Sequence, residues 1–108
     1  MALTRDFRDT VQACVARDAT YRRALLAEAV NELLAGELQV GKSILRDYVN
    51  ATIGFEGLAG QLGKSSKSLQ RMLSSSGNPT AENLLAILKV LQEHEAVQIK
   101  VSVTGEAA

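Results

Sequence analysis

The stretch FEGLAGQLGKSSKSLQRML, residues 55–73, has the pattern of two short helices packed across a tight turn. Gly63 supplies the turn, because glycine adopts the backbone conformations of a tight turn without steric cost. Ala59 keeps the first helix slim where the second helix crosses it. We therefore predict helices over residues 55–62 and 66–73. The apolar seam that they share is predicted to contain Leu58, Leu62, Leu69 and Met72.

Three more helices are predicted before this pair, because apolar residues recur there every three or four positions. Residues that favour helix N-caps begin the first two of these segments, and a glycine suited to a C-cap ends the second of them. The first helix is predicted from Thr4 or Asp6 to about Arg17, and the second from Asp18 or Thr20 to Gly36. After a break over residues 37–41, the third is predicted from Lys42 to Thr52, with Gly54 closing it.

One further helix is predicted after the pair, over residues 80–93, with Thr80 as its N-cap behind a proline turn. Its inward side is predicted to carry Leu84, Ile87, Leu88 and Leu91. Residues 96–103 instead alternate apolar and polar side chains, which predicts a short β-strand. No other segment has this pattern, so the strand is expected to need a partner from a second copy or from another protein.

Length and composition favour an all-α fold in one domain. The chain has 108 residues, of which 46% are hydrophobic but only 4% aromatic. Such a core must consist of Leu, Ile, Val and Ala, which suits packed helices better than a β-sandwich. We predict a helical bundle with an N-terminal extension over residues 1–36, a core over residues 42–93 and the C-terminal strand over residues 96–103.

Charge and targeting patterns narrow the function. Lys plus Arg equals Asp plus Glu at 12 each, which argues against coating nucleic acid by bulk charge. The charged N-terminal segment lacks a signal-peptide core, and no apolar run is long enough for a bilayer, so a cytoplasmic location without membrane contact is expected. Cys14 is the single cysteine and is interpreted as a small buried apolar residue.

A set of residues within 42–92 carries a family pattern. The set comprises Leu58-Ala59, Leu62-Gly63, the serine-rich start of the next helix, Leu69, Gly77-Asn78-Pro79-Thr80 and Leu84-Leu85-Ala86-Ile87-Leu88. With it the chain resembles the phage-repressor-like (Xre-type) helix-turn-helix family, which implies a lambda-repressor-like helix-turn-helix and binding to operator DNA. Lys64 departs from the family, which usually has an apolar residue directly after the turn glycine.

A narrower resemblance is to the addiction-module antidote proteins of this class. It rests on the short length, the connection SSSGNPT over residues 74–80 and the strand-like ending. Antidotes of this class repress their own operon and bind a toxin. The resemblance thus implies a repressor, expected to be a homodimer since one recognition helix reads few base pairs, with a cognate toxin as a possible second partner.

Local charge supports DNA binding independently of the resemblance, because no acidic residue lies between Glu56 and Glu82. In the family the second helix of the motif lies in the major groove. The DNA-binding residues that this implies are Lys64, Ser65, Ser66, Lys67, Gln70 and Arg71. Gln70 suits an adenine edge and Arg71 a guanine edge or a phosphate. Lys64, Ser65 and Lys67 are assigned to the DNA backbone.

The segment GELQVGKS, residues 36–43, matches the sequence expression of a nucleotide-binding P-loop. A P-loop follows a buried strand, whereas residues 24–35 have the pattern of an amphipathic helix, and Glu37 would place a carboxylate among the phosphates. Both glycines, Gly36 and Gly41, are therefore interpreted as residues at helix boundaries.

His94 has no second histidine or cysteine at ligand spacing, so no metal site and no cofactor are expected. Glu93 and Glu95 are two residues apart on a helix and should point in different directions. No nucleophile with a base can be assigned, so the chain is not expected to be an enzyme. The alternative to a DNA-binding regulator is a protein-interaction module, in which the helical body and the tail strand bind a partner.

Overall fold

The computed structural model of the chain describes residues 17–105, in which every regular element is an α-helix. The bounds are α1 Ala19–Leu34, α2 Leu38–Ala51, α3 Gly54–Leu62, α4 Ser66–Met72 and α5 Ala81–Glu95. The predicted all-α class is thus confirmed for this part of the chain. The helix predicted to begin at Thr4 or Asp6, including Cys14, lies outside the described residues apart from its end near Arg17.

The starts of α1 and α5 follow from capping residues that the sequence predicted. The Asp18 carboxylate accepts hydrogen bonds from the Thr20 and Tyr21 amides at 3.0 and 3.3 Å and so begins α1. The Thr80 hydroxyl accepts a hydrogen bond from the Asn83 amide at 3.1 Å at the start of α5. The predicted N-cap Thr80 is confirmed, and of the two starts predicted for α1, Asp18 or Thr20, the structure has Asp18. Each satisfies amides that a helix's first turn leaves without an internal partner.

The connection between α1 and α2 is shorter than predicted. Gly36 ends α1 with a φ of +87°, but α2 already begins at Leu38, so Gly41 lies inside a helix and is buried. A Cβ at Gly41 would lie 2.5 Å from Cδ2 of Leu33 and 3.3 Å from the carbonyl oxygen of Ala29. The interpretation as a glycine at a helix boundary is therefore confirmed for Gly36 and wrong for Gly41. Because Gly41 has no side chain, α1 and α2 can pack closely.

The core lies where the apolar faces of all five helices meet. Its buried apolar members are Leu26, Ala29, Leu45, Tyr48, Val49, Phe55, Leu58, Leu69, Leu73, Ile87, Leu88, Val90 and Leu91. The inward side predicted for α5 is confirmed, with Leu84 half-buried at its edge. Each fully buried Leu or Ile contributes roughly 2 kcal/mol through the hydrophobic effect. The short helix α4 is held mainly in this way, through Leu69 and the adjoining Leu73.

The β-strand predicted over residues 96–103 is not formed. Helix α5 continues to Glu95, Ala96 ends it with a φ of +58°, and residues 97–105 have no regular secondary structure. Val97 and Ile99 pack against the core, and the Ile99 amide donates a hydrogen bond of 2.7 Å to Oε1 of Gln92. Residues 17–105 contain no strand with which the tail could form backbone hydrogen bonds. The conformation of the tail is therefore set by side-chain packing.

Within residues 17–105, no helix combines the length and the apolar character needed to cross a membrane.

Candidate nucleic-acid interface

Helices α3 and α4 are joined by a three-residue turn, residues 63–65. Gly63 adopts the left-handed conformation with φ +64° and ψ +30°, which is strained for a residue with a Cβ. The carbonyl oxygen of Ala59 accepts the amides of both Gly63 and Lys64, at 2.9 and 3.3 Å. These two bonds close the end of α3 and reverse the chain toward α4. The turn predicted at Gly63 is confirmed.

Helix α4 begins at a side-chain cap, Ser65, which the sequence pattern had assigned to a DNA contact. The Ser65 hydroxyl oxygen accepts the Ser68 amide at 3.0 Å. Ser65 therefore has a structural role, and its hydroxyl hydrogen can still be donated to a phosphate. The buried side of α4 carries Leu69, with Met72 half-buried beside it, and faces the α3 seam around Leu58.

The rest of the predicted DNA-binding set lies on the opposite side of α4 and, in the case of Lys64, in the turn before it. Of the six residues, Ser66 is half-buried and the other five are exposed. Gln70 donates a hydrogen bond of 3.1 Å from Nε2 to the Ser66 hydroxyl, one helical turn away. We call this surface the basic face of α4; it comprises Lys64, Ser66, Lys67, Gln70 and Arg71. Its charged members, Lys64, Lys67 and Arg71, are all positive, and the nearest acidic residues along the chain are Glu56 and Glu82.

Two basic residues of α2 hold the other end of α4, and sequence reasoning did not find either of them. Nζ of Lys42 donates hydrogen bonds to the carbonyl oxygens of Ser74 at 2.9 Å and Gly77 at 2.6 Å. Nη1 of Arg46 donates to the carbonyl oxygen of Leu73 at 2.9 Å. These contacts join residues about 30 positions apart in the sequence, so no local pattern announces them.

The loop that follows α4 is folded tightly back on the helix. The Ser74 hydroxyl donates to the Arg71 carbonyl oxygen at 2.7 Å, and the Gly77 amide donates to the Ser74 carbonyl oxygen at 3.0 Å. A Cβ at Gly77 would collide with the carbonyl oxygens of Arg71 and Met72. We call residues 73–77 the clamp loop.

The geometry of residues 36–43 differs from a phosphate-binding loop. They connect two helices, and Gly41, Lys42 and Ser43 already belong to α2. The Lys42 side chain is 1% exposed, and its ammonium group is bound to two backbone carbonyls instead of facing a ligand. The lysine of this P-loop-like segment therefore has a structural role in the fold.

A second polar cluster joins α1, α2 and α5 away from the basic face. The Glu95 carboxylate accepts Nε of Arg22 at 2.9 and 3.1 Å and the Tyr48 hydroxyl at 2.5 Å, and Nε of Arg23 lies 4.0 Å away. Glu95 is buried whereas Glu93 and His94 are exposed, so the expectation that the two glutamates point in different directions is confirmed. The partner of Glu95 was not predictable, because Arg22 is 73 positions away.

Opposing effects act on the protonation of this cluster. Burial by itself would raise the pKa of the Glu95 carboxyl, but the hydrogen bonds from Arg22 and Tyr48 favour the charged form more strongly. The net pKa of Glu95 is lowered. Burial, together with the hydrogen bond to Glu95, raises the pKa of the Tyr48 hydroxyl. Glu95 is thus held as a carboxylate and Tyr48 as a neutral donor at neutral pH.

The chain matches no protein-family model, and no curated protein or solved structure is similar enough to count as a relative. Among residues 17–105, no three His, Cys, Asp or Glu side chains lie together as a metal site would require.

Proposed function

We propose that the chain is a sequence-specific DNA-binding regulator of transcription, with α3, the Gly63 turn and α4 as its helix-turn-helix. The observation that carries the proposal is the basic face of α4. Lys67 and Arg71 are exposed on a capped helix whose opposite side is anchored in the core, and Lys64 is exposed in the turn directly before that helix. A short, firmly held helix with an outward positive face is what the major groove accepts.

The basic face divides into two kinds of contact. Lys64 and Lys67, at the start of α4, are proposed to contact phosphates and so set the position of the helix. Gln70 and Arg71, one turn further on, are proposed to reach the base edges, Gln70 on adenine and Arg71 on guanine. Nε2 of Gln70 has a second hydrogen besides the one donated to Ser66, so the bond to Ser66 leaves a donor for a base, and the Ser66 hydroxyl can donate its own hydrogen to a phosphate.

We further propose that the chain acts as a homodimer and as the antidote of a toxin–antidote module. Helix α4 has only seven residues, so one copy can read only a few base pairs. Two copies on symmetric half-sites multiply the specificity. The antidote role follows from the sequence resemblance described above, and it predicts repression of the chain's own operon.

The test is a titration of the full chain against the DNA upstream of its own gene at two salt concentrations. Tight binding that weakens by at least about tenfold between 50 and 200 mM salt is expected, because phosphate contacts release counterions. A Lys67→Ala, Arg71→Ala variant should lose this binding. The matched control is Lys89→Ala, Lys100→Ala, which removes two exposed positive charges elsewhere. Equal affinities of the two double variants, or no tight binding by the unaltered chain, would refute the proposal.

A second function, protein interaction through the tail, is favoured by one observation. Val101 and Val103 are 65% and 95% exposed, although Val97 and Ile99 before them pack against the core. We propose that a second copy or a toxin pairs with this exposed end. Deleting residues 101–108 leaves the packed part in place, so the oligomeric mass or the partner affinity should fall while the melting temperature stays the same. Unchanged mass and affinity would contradict this role.

A further inference from the structure

Lys42 is a buried positive charge that is balanced in an unusual way. Its side chain is 1% exposed, and among residues 17–105 no carboxylate lies within 4.0 Å of its ammonium group. A buried ammonium ion without an acidic partner is expensive unless hydrogen bonds replace its hydration. The carbonyl oxygens of Ser74 and Gly77 provide that replacement. The long side chain thus crosses from α2 to a backbone segment beyond the end of α4.

The carbonyl oxygens that Lys42 binds lie just beyond the C-terminal end of α4, which is itself a negative region. The last carbonyls of a helix have no internal partners and carry the negative end of the helix dipole. Arg46, one turn after Lys42 on α2, binds the Leu73 carbonyl at this same end. Together, two cations of α2 neutralise the end of α4 and the clamp loop.

We propose that Lys42, assisted by Arg46, is a positioning residue that sets the orientation in which α4 presents its basic face. The inference rests on the proposed DNA-binding function. It adds to that function the residues that hold α4 in place. The clamp loop is bonded to α4 through the Arg71 carbonyl, which belongs to a residue of the basic face. A shift of the clamp loop therefore moves the backbone that carries Arg71, and misplaced side chains lose base contacts.

The first test removes the ammonium group and then returns it. Lys42→Ala leaves room for n-propylammonium, which has the atoms that the substitution deletes. Lys42→Met fills that room with a side chain that cannot donate. In both variants we expect exchange of the Ser74 and Gly77 amides to rise and DNA affinity to fall, each by about tenfold, because two charge-assisted hydrogen bonds are lost.

Rescue distinguishes positioning by the ammonium group from general packing. Added n-propylammonium should restore slow exchange and DNA affinity in Lys42→Ala but not in Lys42→Met. Tetramethylammonium at the same concentration matches the ionic strength and has no N–H to donate, so it should restore neither. The control is Lys89→Ala, an exposed lysine of α5, which should leave amide exchange unchanged.

A milder variant covers the case in which Lys42→Ala does not fold. Arg46→Met removes the half-exposed partner of the Leu73 carbonyl and should raise exchange of the Leu73 and Ser74 amides while the melting temperature stays close to the original. Unchanged exchange and DNA affinity in the folded Lys42 variants overturn the proposal, as does rescue by tetramethylammonium. If Lys42→Ala does not fold, unchanged exchange in Arg46→Met overturns it.

The two proposals fail separately. An unaltered chain that binds no DNA refutes the regulator function, and amide exchange with its rescue still decides whether Lys42 holds α4. DNA binding that is tight in the unaltered chain and equally tight in a folded Lys42→Ala variant refutes the positioning role alone.

Discussion

The Tyr48 hydroxyl of α2 donates a hydrogen bond of 2.5 Å to the Glu95 carboxylate at the end of α5. The same carboxylate binds Arg22 of α1, so one buried group connects three helices. A carboxylate that is 8% exposed requires such donors, because burial would otherwise favour its neutral form.

Replacing Glu95 by Gln should destabilise the fold strongly. The substitution keeps the shape of the side chain but removes the negative charge that accepts hydrogen bonds from Arg22 and Tyr48, so these charge-assisted bonds are weakened at a buried position. Urea denaturation measures the change in the free energy of unfolding. Glu93→Gln is the matched control on the exposed side of the same helix and should stay within about 0.5 kcal/mol of the original. Similar stabilities of the two variants would contradict the role of Glu95.

Acid should weaken the fold through the same carboxylate. The pKa of Glu95 in the folded chain is below its ordinary value of 4.5, so the folded state binds its proton less readily than the unfolded state does. The resulting stability is present above pH 4.5 and is lost as the pH falls through the lower, folded pKa. Thermal unfolding followed from pH 6 to pH 3 should show a steeper decline in the original chain than in Glu95→Gln. Parallel declines would exclude this linkage.

Removing the Tyr48 hydroxyl should have a smaller effect with a different pH signature. Tyr48→Phe keeps the buried ring and removes one hydrogen bond to a charged group, at a cost of about 1.5 kcal/mol. Because the pKa of Tyr48 is raised above 10.0, its contribution is complete below pH 10.0 and is lost as the pH rises above that value toward the folded pKa. Unfolding curves at pH 7 and pH 10.5 measure both effects. A Tyr48→Phe variant that loses stability at high pH as steeply as the original would argue against this linkage.

Two glycines inside helices should respond in opposite directions to alanine. At Gly41 the added Cβ would overlap the Leu33 side chain, and such overpacking costs roughly 1–3 kcal/mol. At Gly60, inside α3, a Cβ meets no atom within 4 Å, so Gly60→Ala should stabilise the chain by about 1 kcal/mol through helix propensity. Melting temperatures of the two variants provide the comparison. Stabilisation by both substitutions would show that α1 and α2 can separate at little cost.

Features that depend on neighbours in the sequence were predictable. Asp18, Thr80 and Gly63 act within one helical turn of themselves, and the apolar side of α5 follows from spacing alone. The basic face of α4 was also visible as a pattern, and its DNA-binding role stays a prediction.

Contacts between distant segments were not predictable. The Lys42 side chain lies in a P-loop-like string, yet its partners at Ser74 and Gly77 depend on how α2 crosses the end of α4. Gly41 is a residue type typical of helix ends. Only the closeness of Leu33 and Ala29 of α1 shows that it is needed for helix packing. The alternation over residues 96–103 is sufficient for a strand only when another strand is present to pair with it.

Helix α4 separates the groups that hold it from the groups that it displays. Leu69, Leu73 and the α2 cations fix its place, whereas Lys67, Gln70 and Arg71 point away from the core. Exposed substitutions generally change stability by less than about 0.5 kcal/mol. Mutation can thus alter the displayed residues one at a time while the chain remains folded, and copies that arise by gene duplication can diverge in what they bind while keeping a common body.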